Sequence, residues 1–431
     1  MTTPRGTAYQ QQLGGCAEFQ RSLSSRRSFL KGLGVVASGS VMSTMHGTVF
    51  RQTAFAADGP ADSVLVVLSQ RGGADGLSLV VPYGDPAYAL ARPTIGIPPT
   101  QLLQTDGMFG LHPRLAPLEG MWASGRMAAV HAVGMNAPNL SHFSAIVELE
   151  EADPGSKARV GWLNRMVGVA DPDCLYGAVQ IGESVPNTEV YGAQPTLSTA
   201  DIEEILVYGP AVYMAQRKAS LGVSWGSAPG TLGAAGRQSL DTAAEWDQVL
   251  DTPAAPQNGA QYPVSDLGDA LAQSARLIRA DVGAQVVTVD HSSWDMHTDL
   301  GTLDHGDMIT RVGDLAGSIA AFFADLGDLA SKVTLVTVSE FGRRVAENGD
   351  AGTDHGYGNA MLLFGAGVNG GSVYGKWPGL DAVEQVDGNL AVTTDYRSVL
   401  AEVLRSRFPS VSVPSVFPHF RPKPVGVMRL G

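Results

Sequence analysis

Carboxylate and imidazole side chains gather where three apolar segments of the chain end. Each segment is a nearly continuous apolar run, which is typical of a strand buried on both faces of a parallel sheet. The residues that follow these segments are Asp75 after the first, Asp295 and His297 after the second, and Glu340, Asp354 and His355 after the third. Neighbouring parallel strands end at one edge of a sheet, so these side chains are expected to converge. The mixture suits zinc, manganese or calcium, and it predicts a site for one or two divalent ions.

The loop residues of this set also have an interpretation without a metal. Asp295 can accept hydrogen bonds within its loop while His297 lies in solvent. Asp354 can accept backbone N–H bonds in a turn. The sequence alone leaves both interpretations open.

Glu340 has a narrower choice, because a carboxylate at the end of an apolar strand must find a partner or a cation. The partner could be Arg343 or Arg344, which follow closely in the sequence. Those two arginines suit phosphate or sulfate oxygens equally well, since a guanidinium fork matches the geometry of an oxyanion. Either a structural ion pair or an anion-binding group is therefore predicted here.

A second candidate lies at Ser141 and His142, which precede an acidic, helix-like run over residues 146–151. Ser141 is a natural N-cap for that helix, which is the structural interpretation. The functional interpretation takes Ser141 as a nucleophile, or His142 as a metal ligand or general base, at the positively polarised start of a helix. The usual motifs of serine esterases, zincin proteases and thiol-redox proteins do not occur in the sequence.

Alternating strands and helices must position these residues. Strands are predicted over 63–69, 126–133, 284–289, 333–338 and 360–364, and helices over 111–125, 266–281, 302–329 and 394–405. The alternation predicts an α/β fold, a three-layer sandwich with a mostly parallel central sheet, forming a single domain over 57–431. Residues 192–263 are rich in Ala, Gly, Ser, Pro and Gln, which predicts an irregular insertion with helix near 211–220 and 240–250.

The N-terminal segment predicts export. Residues 25–31 read Ser-Arg-Arg-Ser-Phe-Leu-Lys, which resembles the twin-arginine consensus. A short apolar stretch and then Ala54-Phe55-Ala56 follow, and this small-x-small pattern suits cleavage before Ala57. The stretch is shorter than the ~20 apolar residues of a stable membrane span. We therefore predict a signal peptide at 1–56, passage through the twin-arginine translocase, and a periplasmic or extracellular location.

Charge limits the possible partners. The chain has 42 acidic and 29 basic residues, and the predicted leader holds six of the basic ones. A strongly acidic mature surface repels nucleic acid and anionic lipid. Cys174 is the one cysteine beyond the leader, so no intramolecular disulfide can form, which fits a chain folded in a reducing cytoplasm.

Several motifs taken together resemble a bacterial exported family, domain of unknown function 1501. The resemblance extends along nearly all of the mature chain. The matching stretches are Arg71-Gly-Gly-Ala-Asp-Gly76, Val81-Pro-Tyr-Gly-Asp-Pro-Ala-Tyr88, Phe109-Gly-Leu-His-Pro113, Ser141-His-Phe143, Gly161-Trp-Leu163, Trp294-Asp-Met-His297, Ser339-Glu-Phe-Gly-Arg-Arg344, Gly352-Thr-Asp-His-Gly356 and Thr393-Thr-Asp-Tyr-Arg397.

That family is considered a distant branch of the alkaline phosphatase and sulfatase superfamily, so the resemblance implies an alkaline phosphatase-like fold. Superfamily members use divalent metals and a Ser or Thr nucleophile to cleave phosphate or sulfate esters. By resemblance, Asp75 corresponds to the first-strand metal ligand, Asp295 and His297 to the middle pair, and His355 to the late histidine. The chain departs from the pattern at Glu340-Phe341, where members usually carry Asp-His, and phenylalanine cannot bind a metal.

The sequence therefore leads to two functional hypotheses. The first is an exported metal-dependent hydrolase of a small anionic ester, in which Ser141 or a water attacks and Arg343 or Arg344 offsets charge on the oxyanion. The second is a non-catalytic exported protein of the same fold that acts with a co-exported partner. The two differ in whether the metal-binding residues lie around a common point.

Overall fold

The computed structural model describes residues 61–136, 139–170, 177–194, 196–205, 207 and 210–430. The predicted leader, its twin-arginine motif and its cleavage site lie outside the described residues. Within those ranges, no helix is both long enough and apolar enough to cross a membrane.

Thirteen strands are found in the described residues. They are β1 Val64–Gln70, β2 Val80–Val81, β3 Gly110–Leu111, β4 Met127–Gly134, β5 Ala178–Ile181, β6 Leu197–Thr199, β7 Val286–His291, β8 Val333–Val338, β9 Gly342–Arg343, β10 His355–Gly356, β11 Asn359–Gly365, β12 Val373–Tyr374 and β13 Thr394–Asp395. Nine of them form the central sheet, in the order β12-β4-β11-β8-β1-β7-β5-β6, with β13 paired to β4.

Twelve α-helices are found in the same ranges. They are α1 Gly76–Leu79, α2 Pro86–Ala91, α3 Glu119–Ala123, α4 His142–Glu151, α5 Trp162–Ala170, α6 Met214–Gly226, α7 Gly230–Glu245, α8 Asp247–Asp251, α9 Asp266–Ala280, α10 Asp307–Leu326, α11 Tyr396–Arg407 and α12 Val413–Val416. The predicted helix over 111–125 is instead a 3₁₀ helix, Pro113–Leu118, followed by α3. Pro117 lacks the N–H group that a regular α-helix needs in its interior.

The predicted mostly parallel α/β sheet is confirmed. Strand β1 pairs in parallel with β7 and β8, β7 pairs in parallel with β5, and within this nine-stranded sheet only β11 runs antiparallel to its neighbours. All seven residues of β1 are buried, because its alternate side chains enter two different cores. Helices α9 and α10 cover one face, and α4, α5 and α11 cover the other. The result is a three-layer arrangement.

The segment 192–263 has more regular structure than we predicted. Helices α6, α7 and α8 follow one another from Met214 to Asp251, and Trp246 and Val249 enter the core beside α9. The Gly and Ser residues of this segment lower its average helix propensity, although the Ala, Leu, Gln and Arg residues between them favour a helix.

The loop that follows β1 fixes the edge of the sheet where polar residues were predicted to meet. Gly72 in this loop has φ +115°, and a Cβ placed on it would lie 2.6 Å from the backbone nitrogen of Asp295. Gly72 also donates its N–H to Glu340 Oε1 at 2.8 Å. The ends of β1, β7 and β8 are therefore held together by close backbone packing that leaves no space for a side chain.

Replacing Gly72 with alanine is expected to destabilise the protein more than an equivalent change elsewhere. Gly107→Ala is the matched control, since Gly107 has a similar φ of +96° but open space around its Cβ position. Both variants force alanine into a strained backbone region, whereas Gly72→Ala also creates a backbone clash that costs about 1–3 kcal/mol more. Urea unfolding measures the difference, and equal losses in the two variants would contradict this account.

Candidate metal centre

Three imidazoles converge on one carboxylate oxygen at the carboxyl edge of the sheet. Asp295 Oδ1 lies 3.2 Å from His297 Nε2, 3.3 Å from His355 Nε2 and 3.5 Å from His142 Nε2. The Nε2 atoms of His297 and His355 lie 3.0 Å apart. Ligand atoms of His142, Asp295 and His355 all lie within 4.8 Å of one another, which is compatible with one shared ion.

These four residues come from distant parts of the chain. His142 is the first residue of α4, Asp295 and His297 lie in the loop after β7, and His355 lies in β10. Strand β10 pairs antiparallel with β9, which follows β8, so a short hairpin returns His355 to the end of the sheet. The predicted convergence of strand-end residues is thus observed for Asp295, His297 and His355, and His142, the separate candidate at the start of a helix, lies beside them.

His142 is held by a buried carboxylate. Its Nδ1 donates to Glu340 Oε1 at 2.8 Å, and Oε1 also accepts the Gly72 N–H. The other oxygen, Oε2, accepts from Ser339 Oγ at 3.2 Å. Glu340 therefore lies behind His142 instead of within the cluster, and it turns the Nε2 atom of that histidine towards Asp295. Metal-binding histidines commonly have such a carboxylate on the far ring nitrogen.

The other two histidines are held in the same way by different acceptors. His355 Nδ1 donates to the backbone carbonyl of Leu140 at 2.9 Å. His297 Nδ1 lies 3.1 Å from Asp354 Oδ1, so Asp354 is a partner of His297 and lies outside the cluster of four. Because an acceptor occupies each Nδ1, each Nε2 is available to face the centre.

The donor set fits a tetrahedral divalent ion. Zinc–nitrogen bonds of about 2.0–2.1 Å place the ligand atoms of a tetrahedron roughly 3.3 Å apart. The separations of 3.2–3.5 Å from Asp295 Oδ1 match this spacing. Three imidazoles and one carboxylate suit zinc or manganese better than calcium, which prefers oxygen ligands.

Electrostatics at the centre favour an ionised Asp295. Burial alone would raise the pKa of its carboxyl group, but hydrogen bonds from His142, His297 and His355 and the charge of Arg343 outweigh burial. The pKa of Asp295 is consequently held well below its usual range. Burial alone would lower the pKa of His142, yet its hydrogen bonds to Asp295 and Glu340 raise it to about 9. The surroundings therefore stabilise positive charge at this point.

Arg343 supports the centre from inside the protein. Its side chain is fully buried and its Nη2 donates to Asp295 Oδ1 at 2.8 Å. Nη2 also donates to the backbone carbonyls of Gly72 and Trp294, while Nε donates to that of Gly73 and Nη1 to that of Thr353. The guanidinium group of Arg343 thus joins three loops. The next residue, Arg344, is instead exposed and donates to the carbonyl of Asp387 at 3.2 Å.

Asp75 lies outside the cluster. Both of its carboxylate oxygens bind the buried guanidinium of Arg92, with 2.9 Å between Oδ1 and Nη2, and Ser78 Oγ donates to Oδ2 at 2.5 Å. Burial alone would raise the pKa of Asp75, but Arg92 outweighs it and the pKa is lowered. Sequence reasoning missed Arg92. A buried carboxylate needs a cation, and a buried arginine 17 positions away was an available partner.

Ser141 and Phe341 border the cluster. Ser141 stands between Leu140, whose carbonyl holds His355, and His142, and its side chain makes no capping hydrogen bond to α4. Phe341 packs with its ring 4.8 Å from the ring of His142 and 4.6 Å from that of His355. Ser141 is therefore adjacent in sequence to a residue of the cluster, and Phe341 fills the space beside two of the imidazoles.

Replacing Arg343 with lysine is expected to lower the free energy of unfolding by at least about 2 kcal/mol, because lysine cannot reproduce the fork that satisfies several buried acceptors. Arg344→Lys is the matched control and should change stability by no more than about 0.5 kcal/mol, since Arg344 is exposed. Urea unfolding of both variants tests this difference. Similar stabilities would show that Arg343 has no special structural role.

Part of the chain matches a known protein family. Residues 211–398 match the family described as "Protein of unknown function (DUF1501)". This stretch contains Asp295, His297 and His355, whereas His142 lies before it. No curated protein matches the chain in sequence.

Solved structures with some similarity to the chain include three proteins at low sequence identity. The C-terminal periplasmic domain of EptC from Escherichia coli, in complex with Zn, is 10% identical, covers 74% of this chain and 77% of its own, and has a TM-score of 0.32. The lipoteichoic acid synthase LtaP from Listeria monocytogenes is 10% identical, with coverages of 77% and 72% and a TM-score of 0.28. Alkaline phosphatase from the Antarctic bacterium TAB5 is 10% identical, with coverages of 73% and 94% and a TM-score of 0.24. These scores are too low to transfer a site or an activity.

Proposed function

We propose that this chain is an exported, metal-dependent hydrolase of phosphate- or sulfate-type esters. The observation that carries the proposal is the convergence of three Nε2 atoms on Asp295 Oδ1, with an acceptor on every Nδ1. The three Nε2 atoms face a buried, ionised carboxylate, and such a charge is costly unless cationic groups or a metal ion offset it. The ester class is inferred from the motif resemblance in the sequence.

In this proposal, His142, Asp295, His297 and His355 hold one divalent ion. When bound, such an ion polarises an ester oxygen and lowers the pKa of a coordinated water or hydroxyl group. Glu340 and Asp354 keep His142 and His297 oriented by accepting their Nδ1–H bonds. Their role is to position ligands.

Two further residues have proposed roles at the rim. Ser141 begins α4 directly before His142, so its hydroxyl group is the nucleophile candidate, and the helix start favours developing negative charge there. Arg344 is the exposed cation of the Arg343-Arg344 pair, and we assign it the role of offsetting charge on the substrate oxyanion. Arg343 instead fixes Asp295.

We also propose that the mature chain is a single domain, 57–431, exported by the twin-arginine translocase to the periplasm or beyond. The support is the sequence over residues 25–31 and 54–56. A route that carries folded chains suits a protein that acquires its ion before export.

One observation favours the alternative, a non-catalytic exported protein that works with a partner. All four tetrahedral positions of the ion would be filled by the chain itself, as in structural zinc sites, whereas catalytic zinc keeps a position for water or substrate. Under this alternative the ion stabilises the fold. Removing the ion then lowers the stability of the protein, and no ester is hydrolysed with or without it.

Purified mature protein is expected to contain about one divalent ion per chain, because ligand atoms of His142, Asp295 and His355 lie within 4.8 Å of one another and His297 Nε2 lies 3.2 Å from Asp295 Oδ1. Elemental mass spectrometry measures this content. The His297→Ala/His355→Ala double variant should contain almost none, while His305→Ala, which alters an exposed histidine of a nearby loop, should retain it. Absence of metal in the wild type after incubation with zinc, manganese and calcium would refute the proposed function.

Hydrolysis of p-nitrophenyl phosphate or p-nitrophenyl sulfate is expected from the metal-loaded protein and should disappear after chelation. Ser141→Ala is expected to lower kcat by at least about 100-fold if its hydroxyl group attacks the ester. Ser144→Ala, an exposed serine in the next turn, is the matched control. Stoichiometric metal with no turnover on either ester class would favour the alternative.

A further inference from the structure

We infer that His297 is the exchangeable ligand of the centre, which leaves the ion when an oxyanion of the substrate binds, while His142, Asp295 and His355 are permanent ligands. This inference rests on the proposed function, since it assumes that the cluster binds an ion. It divides the four residues into two classes with different roles.

The first support is the difference in what holds each imidazole. His142 is fixed by Glu340, whose side chain is 1% exposed and which also accepts from Gly72. His355 is fixed by a backbone carbonyl, that of Leu140. The Nδ1 atom of His297 is held by Asp354, whose side chain is 54% exposed, and hydrogen bonds and ion pairs in water contribute little net stability.

The second support is exposure. The side chain of His297 is 26% exposed, against 13% for His355, 3% for Asp295 and 1% for His142. Phe341 packs against the rings of His142 and His355, and Arg343 occupies the inner side of Asp295. Of the four ligands, His297 is therefore the one that lies towards solvent, from which a substrate must come.

The third support is that the backbone of His297 is fixed although its ring is not. Its carbonyl oxygen accepts from Asn348 Nδ2 at 2.8 Å, and it lies 2.1 Å from the position that a Cβ on Gly352 would occupy. The chain therefore cannot shift here without breaking this packing. A change in side-chain torsion moves the imidazole alone, and such rotations of exposed side chains are fast.

The consequence is a centre that is closed at rest and open during binding. Rotation of the His297 imidazole frees one position on the solvent side, and an oxygen of the phosphate or sulfate group takes it. The side chain of Asp354 is exposed and free to move with the displaced ring, so it remains the hydrogen-bond partner of that ring. The four-ligand arrangement is then compatible with catalysis, which requires an accessible position.

The test compares His297→Ala with His355→Ala, which remove the same group from neighbouring positions. Zinc dissociation constants are measured by competition with a chromophoric chelator, together with the number of ions per chain. We expect His297→Ala to keep one ion with affinity about 10- to 100-fold below wild type, the range found when an outer support of a ligand is lost. His355→Ala should bind at least tenfold more weakly than His297→Ala. Equal affinities, or the reverse order, would overturn the inference.

A second measurement covers the case in which His355→Ala does not fold, as judged by circular dichroism. His355→Gln then replaces it, and the result for His297→Ala is decisive by itself: one ion retained supports the inference, and loss of the ion overturns it. Cobalt-loaded wild type titrated with inorganic phosphate or sulfate should show an altered visible absorption spectrum, and an unchanged spectrum counts against exchange. Failure of the wild type to bind any metal refutes the proposed function itself, which is a different outcome from loss of the ion in His297→Ala alone.

Discussion

The structure depends on one buried negative charge, the carboxylate of Asp295. Three imidazoles and the guanidinium of Arg343 surround its Oδ1 atom, and together they keep it ionised despite burial. A charge removed from water in this way is tolerated only when it is fully paired. The loops after β1, β7 and β8 are consequently arranged to bring cations or potential cation ligands to this point.

Close backbone packing around Asp295 makes the positions of the surrounding loops depend on one another. Gly72 lies against the backbone of Asp295, and Arg343 joins the carbonyls of Gly72, Trp294 and other loop residues around it. Parallel strands supply loops at one edge of the sheet, and β1 beneath this edge is buried along its whole length, which makes the edge rigid. The precision of the cluster therefore comes from the sheet, although its residues lie in a loop, in the short strand β10 and at a helix start.

Much of this arrangement could be predicted from the sequence. Continuous apolar runs gave the strands and their parallel arrangement, and polar residues directly after them gave Asp295, His297 and His355 as neighbours. The partner of each charged side chain could not be predicted in the same way. Asp75 could bind either an ion or a distant arginine, and only the three-dimensional path of the chain brings Arg92 to it. The role of Glu340 could not be predicted either. A glutamate that binds a metal and a glutamate that orients a neighbouring histidine look the same in a sequence.

The separation of these residues along the chain determines when the centre can form. The contact between His142 and Glu340 joins positions 198 residues apart, so the centre cannot form before the chain has brought these distant segments together. Contacts of such long range form late, because the entropy of closing the loop must be offset first. An ion bound at this centre would therefore be selected late in folding, in whichever compartment folding takes place. For a chain exported in its folded state, the metal composition of the cytoplasm would decide which ion the exported protein carries.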